Sequence, residues 1–261
     1  IDLCDQNKIL DTIIGSNYVF HFSANADVRN GLKQPIKDLE QNTIVTSNIL
    51  EAMRKTNIKD IIFSSTGSIY GEPEIFPTPE NAPFPVQTSL YGASKIAGES
   101  LITSYCNGFG FNSWIFRFVS ILGENYTHGH VYDFYKSLKK DKSKLTVLGN
   151  GKQRKSYLYI KDCIEAIIHS LEIKKENINI LNLGTNEACT VNESISWICD
   201  EMKCNPSLNY TGGERGWIGD SPFILLDTKK INDTGWKPKL TIEESVRKTK
   251  KYLKKNDWLF D

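Results

Sequence analysis

No apolar run in the 261-residue chain approaches the roughly 20 residues that cross a bilayer, so no membrane-spanning helix is expected. The opening 1-IDLCDQNKIL-10 has neither the basic nor the apolar region of a secretory signal. Excess charge of one sign is missing too. Lys and Arg number 32 against 31 Asp and Glu, a formal net charge of +1, which predicts neither a nucleic-acid nor a membrane partner. The lysines at 247–255 read as a solvated helix face, because acidic residues balance them elsewhere. There is no CxxC pair among Cys4, Cys106, Cys163, Cys189, Cys199 and Cys204. The closest two, Cys199 and Cys204, have no histidine nearby to complete a zinc set, and His128 and His130 flank a glycine without a third ligand. No metal site is therefore expected, and the thiols are expected to be reduced in a cytoplasmic protein. Internal repeats and low-complexity tracts are also absent.

What is present points to a soluble globular chain with a sizeable core, at 39% hydrophobic and 24% charged residues. 18-YVFHF-22 reads as a buried strand running into the small residues 23-SANA-26. Val45, Ile49, Ala52 and Met53 then fall on one helical stripe. 61-IIFS-64 is the next strand, and the proline-rich 72-EPEIFPTPENAPFPVQTS-89 must be an irregular loop. A helix over about 91–105 ends in 107–110, and 114-WIFRF-118 is another strand. This alternation predicts an α/β fold with a Rossmann-type, doubly wound parallel sheet. Ligands collect at the carboxyl ends of such strands, so residues 23–26, 64–68 and 119–123 are expected to line one crevice. From about Gly123 the loops lengthen and the patterns shorten. Residues 1–122 are read as a dinucleotide-binding domain and 123–261 as a smaller α/β substrate domain, with segments near 157–172 returning to the first. Within 123–261, 157-YLYI-160 and 179-NILNL-183 look like strands, and 193–203 and 243–255 like helices.

The stretch 61-IIFSSTGSIYG-71 stops an apolar run in small hydroxyl residues, and 91-YGASK-95 follows one loop later. Tyr91 and Lys95 stand at i and i+4 and share a helix face. A phenol near pKa 10 is a poor base at neutral pH, and an adjacent ammonium favours the phenolate. Thr66, at the neighbouring strand end, offers a hydroxyl to polarise a substrate oxygen or relay a proton. A Tyr and a Lys four apart are weak evidence alone. Their position after a small-hydroxyl strand end, inside a parallel-sheet pattern, gives them weight.

With these motifs in order, the chain resembles the extended short-chain dehydrogenase/reductases, specifically the NAD-dependent sugar-nucleotide epimerase/dehydratase family. The resemblance rests on 18-YVFHFSANADV-28, 41-QN-42, 61-IIFSSTGSIYG-71, 91-YGASK-95, 117-RFVSILG-123, 149-GNGKQRKSYLYIKD-162, 215-RGWIGD-220 and 235-GWKP-238. It implies that Tyr91 takes the proton from a sugar hydroxyl, that Lys95 bridges the nicotinamide ribose and lowers the Tyr91 pKa, and that Thr66 bonds the same sugar oxygen. It implies NAD contacts from Asp2, Leu3, Phe22, Ser23, Ala24, Asn42, Ser64, Tyr91, Lys95 and Val119. Ser120, Arg154, Lys155, Arg215 and Asp220 become the expected contacts to a nucleotide sugar, UDP-linked by the resemblance to UDP-glucose 4-epimerases. The family often has Asn at Ser120 and Arg at Lys155. Its 4,6-dehydratases carry Asp and Glu after the Thr, where this chain has Gly67 and Ser68, so epimerisation is preferred to dehydration. Ile224 aligns with a position that gauges room for an N-acetyl group. A homodimer is expected. A reductase or decarboxylase on the same scaffold would consume or produce NAD rather than recycle it, and a non-catalytic binding module is the third reading.

The family's first strand and its glycine-rich, pyrophosphate-cradling turn have no counterpart. No GxGxxG or GxxGxxG occurs, and Gly15 is the first glycine. The expectation is an N-terminally incomplete copy of a normal enzyme, lacking on the order of 50–60 residues at about 30 per βαβ unit. A genuine short product and a non-functional remnant are the alternatives. A chain starting at Ile1 is expected to expose apolar sheet edges and to retain little NAD.

Overall fold

The structure, a computed structural model, describes residues 1–28, 31–84, 86–173 and 176–260. The chain forms two compact units. The first comprises Ile1–Ile75, Pro79–Phe118 and His169–Asn182, and the second Phe76–Thr78, Val119–Ile168 and Leu183–Asp261.

In the first unit, helix α1 (Gln6–Ile13) starts at Asp5, whose side chain accepts from the Asn7 and Lys8 amides. Strand β1 (Tyr18–His21) follows, then a short helix α2 (Pro35–Asp38) with proline in its first turn. A π-helical turn over Leu39–Ile44 leads into α3 (Val45–Thr56), which Asn57 closes in the left-handed conformation. Strand β2 (Asp60–Thr66) pairs in parallel with β1 on one side and with β3 (Asn112–Phe118) on the other. Between β2 and β3 runs α4 (Leu90–Phe109), capped by the Ser89 hydroxyl on the Gly92 amide and stopped by Gly110 at φ 65°. A Cβ on Gly98 would lie 3.0 Å from the Phe63 ring, so its absence lets α4 pack closely on β2. The expected stripe Val45, Ile49, Ala52 and Met53 is buried with Ile61, Phe63, Ile102 and Ile115 in one core.

Strand β1 departs from expectation. Tyr18 and Phe20 are about half exposed and only His21 is fully buried. Among the described residues the sheet order β1-β2-β3-β8 puts β1 at an edge, and the face that carries Tyr18 and Phe20 lies open to solvent.

The second unit begins with β4 (Ser120–Leu122), α5 (His130–Lys140), β5 (Lys144–Val147), β6 (Arg154–Lys155) and β7 (Tyr157–Tyr159). Helix α6 (Ile160–Glu172) belongs to the second unit through Ile168 and to the first from His169, which leads to β8 (Ile178–Leu183). Then come β9 (Cys189–Thr190), α7 (Val191–Met202), β10 (Ser207–Tyr210), β11 (Phe223–Ile224), α8 (Lys229–Asn232) and α9 (Ile242–Lys255). Thr190 and Thr241 each form a full capping box, with Glu193 and Glu244. Leu122, Val131, Leu138, Val147, Ile198 and Val246 centre this unit's core. Among the described residues no helix is long and apolar enough to cross a membrane.

Each unit holds one histidine, His21 buried and His130 half-buried, whose proton affinity desolvation depresses to about 3. His21 in the first is also repelled by Lys95, and His130 in the second by Lys155. The unfolded chain takes up these protons as pH falls through the usual histidine range near 6.5, while the folded chain does not. Stability is therefore lost on acidification, by about 2 kcal/mol per histidine between pH 7 and pH 5 at 1.36 kcal/mol per unit. Urea unfolding at the two pH values tests this; equal midpoints would refute it.

Candidate active site

Strand β2 carries the chain from an apolar core into a hydroxyl-rich end, and α4 lies against that end. The Lys95 side chain is 2% exposed. Its ammonium donates to the Ser64 carbonyl at 2.7 Å and stands 4.6 Å from the centre of the Phe63 ring. Burial lowers its pKa to about 8, against the opposing pull of Glu99. Thr66 caps the short 3-10 turn Gly67–Tyr70, accepting from the Ser68 amide at 3.1 Å, and its side chain also hydrogen-bonds Tyr91. Ser64, Thr66, Tyr91 and Lys95 thus form one group in the first unit, as the sequence pattern requires.

One expectation is corrected. Tyr91 is not lowered but pushed up to about 12, chiefly by burial, with the Asp38 carboxylate adding to the shift and the Thr66 hydrogen bond opposing it. The Lys95 ammonium donates to the Ser64 carbonyl and is not among the groups that act on the phenol.

A buried polar cluster backs this group. Asn42, in the π-helical turn, donates to the Ser94 hydroxyl at 2.9 Å, and Ser94 donates to the Tyr91 carbonyl at 2.8 Å. Its Oδ1 accepts from the Asn25 amide at 2.7 Å, which fixes the segment after β1. Asn25 also reaches Asp38 at 2.7 Å. π-Helical turns recur at functional sites, and this one carries Asn42. A Cβ on Gly92 would come within 2.9 Å of the Ser68 carbonyl, so 91-YGASK-95 needs glycine for this approach. Ala24 is half-buried, whereas Phe22 and Ser23 are exposed. Asp2 is exposed, and the Leu3 carbonyl accepts from Asn48 at 3.2 Å, apart from the Tyr91 group.

The second unit holds the remaining expected residues. Val119 is buried, its amide bonded to the Leu183 carbonyl at 3.0 Å, and Ser120 is exposed on β4. Lys155 is not a free cation: it bonds Asp220 at 2.7 Å and the Ser221 carbonyl, in a buried setting that lowers its pKa. Arg215 donates to the Asp220 carbonyl at 2.8 Å, and Asp220 accepts from the Gly216 amide. The Arg154 guanidinium lies 4.9 Å from the centre of the Phe223 ring. Asp220 is therefore the hub that gathers Lys155 and the 215–220 turn.

Sequence reasoning missed Asn25, Asp38, Ser65, Ser94, Glu99 and Arg117, all buried and polar. Glu99 had a signal: it continues the step of four from Tyr91 through Lys95.

The family model for the NAD dependent epimerase/dehydratase family matches residues 1–184. A candidate UDP-glucose 4-epimerase of Methanocaldococcus jannaschii is 33% identical over 244 residues, 92% of this chain and 77% of the relative. The dTDP-D-glucose 4,6-dehydratase of Mus musculus is 28% identical, over 98% of this chain and 73% of its own. The crystal structure of a Thermus thermophilus UDP-glucose 4-epimerase in complex with NAD superposes with a TM-score of 0.86 at 28% identity, covering 97% of this chain and 83% of that one. With its motifs in order and its parallel sheet in place, this chain belongs to the NAD-dependent epimerase/dehydratase family.

Proposed function

We propose that the chain is a nucleotide-sugar 4-epimerase acting on a UDP-hexose, with Tyr91 as acid–base and Thr66 as its partner on the sugar oxygen. The observation that carries this reading is the Thr66–Tyr91 hydrogen bond beside a strand end that holds no second acid. Gly67 cannot titrate, and the Ser68 hydroxyl, which accepts from Thr66 at 3.3 Å, is an aliphatic alcohol that does not titrate near neutral pH either. Eliminating water from a sugar needs an added acid and base, so this arrangement favours proton removal and return at one oxygen.

NAD is the family's cofactor. Lys95 fits it: the buried ammonium has three donors, and the Ser64 carbonyl is its one hydrogen-bond acceptor among the described residues, leaving donors for ribose hydroxyls. Phe22, Ser23, Ala24, Asn42 and Ser64 are proposed beside it, and Asn42 pins the Asn25 amide that ends their segment. Bound NAD supplies a hydride acceptor with a cationic ring. The protein's own part is to hold the sugar hydroxyl against Tyr91, move its proton through the phenol, and let Thr66 stabilise the exchanged oxygen. Because Tyr91 rests near 12, the phenol is protonated at neutral pH until a positive charge is brought beside it.

Arg154 and Arg215 are the proposed diphosphate contacts, since a guanidinium forks onto phosphate and Lys155 is engaged by Asp220. Ile224, half-buried, has its carbonyl on the Ser156 amide at 3.0 Å, so its side chain rather than its backbone is available to gauge the sugar. The deciding experiment supplies NAD and follows interconversion of UDP-glucose and UDP-galactose with no net change in NADH. Net NADH production would replace the epimerase reading with a dehydrogenase. UDP-N-acetylhexosamines are expected to turn over as well, and Ile224→Tyr to lower that activity at least tenfold while sparing hexoses, the scale of one side-chain clash in a pocket.

A further inference from the structure

Three consecutive residues of β2 each hold a different turn of α4. The Ser64 carbonyl accepts from Lys95, the Ser65 hydroxyl donates to Glu99 Oε1, and the Thr66 side chain hydrogen-bonds Tyr91. Tyr91, Lys95 and Glu99 are four apart, so they stand on one face of α4 one turn after another. Ser65 and Glu99 are 2% and 5% exposed. Glu99 is also forked by Arg117, with Nε to Oε1 at 3.1 Å and Nη2 to Oε2 at 2.8 Å. Arg117 is the register partner of Ser65 across the β2–β3 ladder, so one cross-strand pair grips one carboxylate. The third guanidinium nitrogen is anchored to the Tyr70 hydroxyl at 2.7 Å and the Glu80 carbonyl at 2.8 Å.

A buried ion pair adds little stability over apolar side chains of the same volume, so stability is a poor account of this arrangement. Direction is a better one. Apolar packing tolerates sliding, whereas a bidentate fork fixes both distance and plane. A slide along β2 would lengthen and misalign the Lys95–Ser64 hydrogen bond, now 2.7 Å, and the Tyr91–Thr66 contact with it.

We propose that Glu99, clamped between Ser65 and Arg117, is a positioning residue that sets α4 against β2 so that Tyr91 meets Thr66 and Lys95 meets Ser64. The proposal rests on reading those residues as the acid–base group. Its test uses Ser65→Ala, Glu99→Gln and Glu99→Asp, with NAD supplied for turnover of UDP-glucose and UDP-galactose. A second readout needs neither substrate nor NAD: the pH midpoint for acetylation of Lys95 by acetic anhydride, followed by peptide mass spectrometry. The charged or titratable groups acting on Lys95 are Glu99 on its own helix and the neutral His21 on β1. Glu99→Gln is expected to lower kcat about a hundredfold and Ser65→Ala about tenfold, with KM within twofold, since misplacement by about 1 Å has effects of that size. Glu99→Gln should also move the Lys95 midpoint down, because the carboxylate that favours the ammonium is gone. Glu99→Asp keeps the charge but is one methylene short, so it should leave the midpoint near the parent value and still lose kcat about tenfold. Full kcat in Glu99→Asp, or losses that only follow the folded fraction in urea, would overturn the clamp. So would an unmoved Lys95 midpoint in Glu99→Gln, or one that rises to that of an ordinary lysine through local unfolding. If the parent chain turns over no UDP-hexose, the epimerase reading fails, while an unmoved Lys95 midpoint in Glu99→Gln would still overturn the clamp.

Discussion

Replacing Tyr91 with Phe is expected to reduce turnover about a thousandfold, within the range that positioned acid–base groups contribute, and to leave the fold intact. The change removes one oxygen and nothing else. Its known partner in the folded chain is the Thr66 side chain, so the loss amounts to one hydrogen bond, about 1 kcal/mol. Thr66 cannot take over, because an aliphatic hydroxyl is a far weaker acid than a phenol. Ser68 cannot either, for the same reason. Lys95 is aimed away, at the Ser64 carbonyl. Among the described residues no other group that titrates is hydrogen-bonded to Thr66, which is why the expected loss is so large. Turnover of UDP-glucose with added NAD, measured beside urea unfolding, separates the two effects. If activity survived while the fold was unchanged, the acid–base assignment would fail.

The parts of this site that were legible in the sequence are those that repeat with a period. Apolar runs and stripes located β2, β3, α3 and α4, because burial imposes spacings of two or 3.6 on the residues that face a core. The step of four located Tyr91 and Lys95 together. Strand β1 was misread because 18-YVFHF-22 is apolar throughout, and composition alone does not tell an edge strand with one open face from a central one. The clamp was invisible for a different reason. Ser65, Glu99 and Arg117 come from a strand, a helix and a second strand, and each taken singly is an ordinary polar residue. Only the parallel register, which pairs Ser65 with Arg117, turns them into one binding site for a carboxylate. Lys155 shows the reverse error: a motif cation that invites a phosphate, but whose charge Asp220 already meets, 65 residues along the chain.

Lys95→Met is expected to lose activity at least a hundredfold and yet to unfold later than the parent at pH 7. The activity loss follows from removing the ammonium that Ser64 holds at the strand end, where cofactor hydroxyls are proposed to bind. The stability gain follows from the buried charge. Desolvation brings Lys95 from the ordinary 10.5 to about 8, so the fold disfavours the charged form. Below pH 8 both folded and unfolded chains carry the proton, and the fold bears the full penalty, about 3 kcal/mol at 1.36 kcal/mol per unit. Between pH 8 and 10.5 the folded chain releases the proton first, the unfolded chain binds more, and parent stability rises with pH. Above 10.5 neither is charged and the penalty is gone. Methionine matches the length of the lysine stem and keeps a contact with the Phe63 ring, where the ammonium now stands 4.6 Å from its centre. It gives up that cation–π contact and the bond to Ser64, about 1–2 kcal/mol together, which leaves a net gain of about 1–2 kcal/mol at pH 7. The gain should shrink steadily above pH 8, pass through zero at about pH 9–10, where the remaining penalty equals the lost contacts, and be reversed above 10.5. Urea midpoints of both chains at pH 7 and pH 9.5 would show it. A variant less stable than the parent at pH 7 would mean that the Ser64 and Phe63 contacts outweigh the burial of the charge, and that Lys95 serves the fold rather than the chemistry.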